Sequence, residues 1–185
     1  MTATLDTPPP TLLVIFGAGG DLTWRKLVPA LYNLYLDGWM PEAFQVLALD
    51  IKEWDRASFA SHLREGVTAH SRQGAPDADR WDAFAANIDY LQQDFADDAT
   101  YEAIKSRADE FLAAHEGASC VYYLSIPPFL MDMVVEKLHA HGLNQPQETV
   151  RLVVEKPFGL DLASSKTLNG LLLRHFEESQ VYRID

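Results

Sequence analysis

The chain has 185 residues, 48% of them hydrophobic, and a formal charge of -12, which is enough apolar material for one core at the usual size of a single domain. That charge argues against general binding to nucleic acid or to anionic membrane surfaces, so any anionic ligand has to be met by local cations. The single cysteine, Cys120, excludes an internal disulfide and sits in an apolar run as a buried thiol does, and the six histidines are scattered without metal-ligand spacing.

The start, MTATLDTPPP, has neither a basic region nor an apolar signal core, and no apolar run approaches a membrane span. The expectation is a cytoplasmic protein with a disordered Pro-rich tail over residues 1–10 and one domain over residues 11–185. Leu12 to Phe16 is a continuous apolar run, the pattern of a strand buried on both faces. Gly17, Gly19 and Gly20 follow, where the lack of Cβ permits positive φ and close approach of a ligand to the main chain. From Asp21, a natural N-cap, the residues Leu22, Leu27, Ala30, Leu31 and Leu34 recur at helical steps. Strand, tight turn and helix in that order leave unpaired N–H groups and a positive helix end at one spot, which suits a pyrophosphate. The spacing departs from G-x-G-x-x-G, since Leu22 stands at the third position, and a glycine turn that merely connects strand to helix is the competing reading.

Asp37-Gly38 and Pro41 stop the first helix, and Phe44 to Leu49 reads as a second strand ending at Asp50. Phe59, Leu63 and Val67 mark a helix, Ser71 to Asp79 a loop, Trp81 and Phe84 a short helix, and Ile88 to Leu91 a third strand. Tyr101, Ile104, Ala108, Phe111 and Leu112 predict the next helix. Cys120 to Ile126 predicts a strand stopped by Pro127-Pro128, and Leu130, Val134, Lys137 and Leu138 a further helix. Val150 to Val154, Leu162 to Phe176 and Val181 to Ile184 read as strand, helix and short sixth strand. Alternation of strands and helices throughout is the mark of an α/β fold: a doubly wound parallel sheet of Rossmann type, with helices on both faces and a ligand crossing between strands one and four.

Several segments then narrow the reading: Gly20-Asp21-Leu22, Arg25-Lys26-Leu27 with Pro29-Ala30-Leu31, Tyr122 to Pro128 (YYLSIPP), Val154 to Gly159 (VEKPFG), and Tyr182 to Asp185 (YRID). In order and spacing they resemble the N-terminal coenzyme domain of the glucose-6-phosphate dehydrogenase family, from Thr11 to the last residue. The resemblance implies oxidation of glucose 6-phosphate to 6-phosphogluconolactone by hydride transfer to NAD or NADP. It implies that Gly17, Ala18, Gly19, Gly20, Asp21 and Leu22 hold the pyrophosphate, and that Ser125 and Pro127 lie beside the coenzyme. Lys156 is expected between coenzyme and sugar, touching both, with Lys26 as a second cation that could equally be a solvated helix lysine. Pro157 follows it in an X-Pro bond, the kind that can be cis.

Two departures matter. The family continues past RID into a His-Tyr-Leu-Gly-Lys-Glu stretch and a second domain that carries the histidine base, whereas this chain ends at Asp185, the counterpart of the carboxylate that orients that base. The expectation is a fragment, inactive alone and monomeric or weakly associated, of an enzyme whose full-length members are dimers or tetramers. The second departure is Ile51, where NADP-preferring members carry an arginine for the 2'-phosphate. Asp50 before it suits the ribose hydroxyls of NAD, and Gly19 stands where some members have a hydroxyl residue, so the lean is to NAD or dual use. Lys52 pulls the other way, because its side chain could neutralise a phosphate. A dinucleotide-binding module without turnover, and another nicotinamide reductase on the same fold, are the alternative readings.

Overall fold

The computed structural model describes residues 8–156 and 162–184. Six apolar runs form the strands β1 (Thr11–Phe16), β2 (Phe44–Asp50), β3 (Ile88–Gln92), β4 (Ser119–Leu124), β5 (Val150–Glu155) and β6 (Val181–Ile184). They make one sheet in the order β3-β2-β1-β4-β5-β6, and every pairing is parallel. This is the doubly wound sheet expected from the alternation of elements.

Because strand side chains alternate between faces, each central strand feeds two cores. Leu12, Val14 and Phe16 of β1 pack with Leu47 and Leu49 of β2 under α4 (Asp98–Ala114), α5 (Pro128–Ala140) and α6 (Leu162–His175). Ile15, Val46 and Ala48 face the other way, onto α1 (Val28–Leu36), α2 (Arg56–His70) and α3 (Ala78–Ala85). In register Phe16 lies opposite both Leu49 and Leu124. Strands β2, β1 and β4 therefore end level, and the turns that follow them meet at one edge.

The first helix differs from its expected form. Its opening contains a π-helical turn, Thr23–Leu27, before α1 begins. One extra residue in that turn breaks the 3.6-residue period. The buried positions become Thr23, Val28, Pro29 and Tyr32, while Ala30 and Leu34, expected on the buried face, are exposed. Asp21 is not an N-cap either: it already has helical backbone, and its carboxylate pairs with Arg25 at 3.3 Å. Strand β4 stops at Leu124, two residues before the expected end, which leaves Ser125 and Ile126 to the turn. At the start of the chain, the Pro10 carbonyl accepts a 2.8 Å bond from the Ser119 N–H, tying the residue before β1 to the sheet. Residues 1–7 of the expected tail, Pro157 with its bond to Lys156, and Asp185 lie outside the described residues. Among those described, no helix is long and apolar enough to cross a membrane.

Candidate functional site

The site is built where β1, β2 and β4 end. Gly17 holds φ at +79°, and a Cβ there would sit 2.2 Å from the Ser125 carbonyl oxygen. Only glycine lets the exit of β1 pass so close over the exit of β4. Thr23, fully buried, reinforces the crossing, with its hydroxyl 3.3 Å from the Ser125 Oγ and 3.4 Å from the Gly17 carbonyl.

The turn's own N–H groups are spent internally. Gly17 and Ala18 both donate to the Leu49 carbonyl at 3.0 Å, and Gly20 donates to the Gly17 carbonyl at 3.0 Å. Gly19 donates to Asp50 Oδ2 at 2.8 Å. The first helical donor is Trp24, to the Gly20 carbonyl at 3.2 Å, so the N–H groups of Asp21, Leu22 and Thr23 have no intrahelical acceptor. The glycines thus shape the cradle, and the first helical turn supplies the donors and the positive dipole end for an anion.

Asp50 is 9% exposed and its carboxylate also accepts from the Lys52 N–H at 3.3 Å. Lys52 Nζ in turn donates to the Gly19 carbonyl at 2.6 Å and lies 5.1 Å above the Trp54 ring. Tyr90 fixes this loop by donating its hydroxyl to the Lys52 carbonyl at 2.6 Å. Burial, and then the Asp50 carboxylate, push the Tyr90 hydroxyl up to about 12, so it stays a donor.

Two clefts meet over the glycine turn. One of about 430 Å³ runs from Asp50, Ile51, Asp94 and Phe95, past Gly17 and Gly20, to Ser125, Ile126 and Pro127. The other, about 210 Å³, runs from Gly20, Asp21 and Leu22 across Leu124, Ser125 and Ile126 to Glu155 and Lys156. They share Gly20, Ser125 and Ile126, and together form a track from the end of β2, over β1 and β4, to the end of β5. Among the described residues, its β2 end is lined by two carboxylates and no basic side chain, while its β5 end carries Lys156. The Lys156 N–H donates to the Ile184 carbonyl at 3.2 Å. The neighbouring Glu155 accepts a hydrogen bond from the Tyr123 hydroxyl. A separate cleft of about 410 Å³ lies away from the turn, between α6 and Arg183, whose guanidinium is engaged by Glu178 and Asn169.

Of the residues singled out in the sequence, Gly17, Gly20, Asp21, Leu22, Asp50, Ser125, Pro127 and Lys156 line this track. Ala18 and Gly19 are buried beneath it. Lys26 is exposed on the π turn and lines neither cleft. Sequence reasoning missed Thr23, Asp94, Phe95, Ile126 and Glu155. The signal for Asp94 and Phe95 was topological, since the segment after β3 must open at the same sheet edge as the glycine turn.

A family model described as glucose-6-phosphate dehydrogenase, NAD binding domain, matches residues 14–185. Over 176 residues the chain is 42% identical to glucose-6-phosphate 1-dehydrogenase of Aggregatibacter actinomycetemcomitans, covering 94% of this chain and 35% of that protein. The Treponema pallidum enzyme is 37% identical over 186 residues, with 97% and 35% covered. In structure, the Mycobacterium avium enzyme superposes with a TM-score of 0.82 at 30% identity, covering 96% of this chain and 36% of its own. A glucose-6-phosphate dehydrogenase in complex with glucose 6-phosphate gives 0.85 at 28% identity, with 97% and 37% covered. The chain spans about a third of the length of the relatives it matches. Residues 14–185 thus carry the NAD-binding domain, and the chain belongs to the glucose-6-phosphate dehydrogenase family.

Proposed function

We propose that this chain binds a nicotinamide dinucleotide along the joined clefts and serves as the coenzyme-binding part of a glucose-6-phosphate 1-dehydrogenase. The observation that carries the reading is the continuity of the track, with helix N–H donors at its centre, Asp50 at its β2 end and Lys156 at its β5 end. The adenosine end lies by Asp50 and Ile51, the pyrophosphate by the N–H groups of Asp21 and Leu22 within the Gly17–Gly20 cradle, and the nicotinamide by Ser125, Pro127 and Lys156. When bound, the nicotinamide supplies the hydride acceptor for glucose 6-phosphate, and the product is 6-phosphogluconolactone. The Lys156 ammonium orients a sugar hydroxyl and attracts the anionic substrate toward a protein of charge -12. Lys26, outside the track, is at most a distant attractor. Asp185, by the same reading, is the carboxylate that orients a histidine base. A cytoplasmic setting belongs to the same reading.

NAD is the preferred coenzyme, because a 2'-phosphate at the β2 end would face Asp50 and Asp94. One unit charge pair at 4 Å is worth about 4 kcal/mol at the effective dielectric of such sites, and less where water screens it. Calorimetric titration with NAD and with NADP tests this. The expected result is binding of both with NAD tighter, and a narrowed difference in Asp50→Asn, which keeps an acceptor for the Gly19 N–H without the charge. A folded chain that binds neither coenzyme overturns the reading.

A further inference from the structure

Lys52 is the one cation of the β2 turn that could offset the 2'-phosphate of NADP, and it is held elsewhere. Its Nζ donates to the Gly19 carbonyl at 2.6 Å while its charge rests over the Trp54 ring. Trp54 cannot swing away easily. It stacks on His62 at 4.8 Å and 26°, meets Phe59 at 5.7 Å, and presents an edge to Tyr90 at 5.9 Å. His62 is itself stacked on Trp24, whose indole N–H donates to the His62 carbonyl at 3.0 Å. The ladder runs Trp24, His62, Trp54, Lys52.

Trp54 also fills the space beside Gly19. A Cβ built on Gly19 would lie 2.7 Å from Trp54 Cζ3, and 3.0 Å from both Lys52 Cδ and Asp50 Oδ2. A hydroxyl-bearing residue at position 19 therefore has no room while the indole stays where it is.

We propose that Trp54 is a positioning residue that sets coenzyme preference by parking Lys52 on the Gly19 carbonyl. The inference rests on the coenzyme reading above. With the indole gone, Lys52 keeps only its bond to the neutral Gly19 carbonyl, a 2'-phosphate outcompetes that acceptor, and a charge-assisted hydrogen bond of that kind raises NADP affinity about tenfold relative to NAD.

Titration of the chain with NAD and NADP, alongside Trp54→Leu and Trp54→Leu with Lys52→Ala, provides the test, with melting curves recorded for each. The expected result is an NADP:NAD affinity ratio about tenfold higher in Trp54→Leu, returning to the parent ratio or below in the double variant. Loss of packing alone would weaken both coenzymes together and leave the ratio where it was. Should Trp54→Leu not fold, Trp54→Met keeps an apolar side chain against Phe59 without a ring under Lys52, and the same rise in the NADP:NAD ratio is then expected of it. An unchanged ratio in a variant that still binds NAD overturns the role of Trp54 and leaves the coenzyme site standing. A parent chain that binds neither coenzyme overturns both.

Discussion

Replacing Gly17 with alanine tests the crossing of the β1 and β4 turns. Two costs add. An L-residue held at φ +79° costs about 1–2 kcal/mol. The new methyl would also meet the Ser125 carbonyl oxygen at 2.2 Å and its carbon at 3.0 Å, and both are backbone, so the turns must separate. Overpacking of that kind adds about 1–3 kcal/mol, for a total of about 2–5 kcal/mol against the 5–15 kcal/mol typical of a domain. Gly38 is the control, with φ +74° and nothing within 4 Å of a built Cβ, so Gly38→Ala incurs the backbone cost alone. Urea unfolding of both variants, with the slope unchanged so that midpoints compare, isolates the contact as their difference. A loss in Gly17→Ala no larger than in Gly38→Ala would refute the claim that the turns are in contact.

Ile51, 66% exposed at the rim of the larger cleft, becomes a guanidinium in Ile51→Arg, and calorimetry is expected to find NADP affinity raised about tenfold relative to NAD. Cys120 has its thiol pushed up to about 12 by burial, so a thiol reagent at about pH 8 is expected to label it only after urea unfolding; rapid labelling of the native chain would contradict its place in the core. Asp98 accepts from Lys137 at 2.7 Å and His141 at 3.1 Å, and these bonds hold its carboxyl below the ordinary 3.8. A lowered carboxylate stabilises the fold above its unfolded value and loses that effect as pH falls through its folded value. Asp98→Asn is therefore expected to lower the urea midpoint near neutral pH, with the difference from the parent fading below about pH 4.

Much of the fold was legible because its signals are local. The β-branched run at Val150, the continuous apolar run of β1 and the proline stop at Pro127 each reflect burial or backbone chemistry that a short window contains. Phe59, Leu63 and Val67 lie on the buried face of α2 as their spacing requires. The first helix was misphased for a physical reason, since a π turn adds a residue and no composition rule marks it in Thr23–Leu27. The fate of the Gly17 and Gly19 N–H groups was equally hidden: their acceptors, Leu49 and Asp50, come from a strand about thirty residues away. Thr23 read as an ordinary helix residue, and only the approach of Ser125 makes its hydroxyl a tie between two turns.

The first turn of the helix, rather than the glycines before it, is proposed to meet the coenzyme's pyrophosphate. Backbone amide chemical shifts of the labelled chain, followed while NAD is added, test it most directly. Saturable shifts are expected at Asp21, Leu22 and Thr23, with smaller ones at Ser125 and Lys156. Saturable shifts confined to the cleft of Ser165, Asn169 and Arg183, with the Asp21–Thr23 amides unmoved, would contradict it.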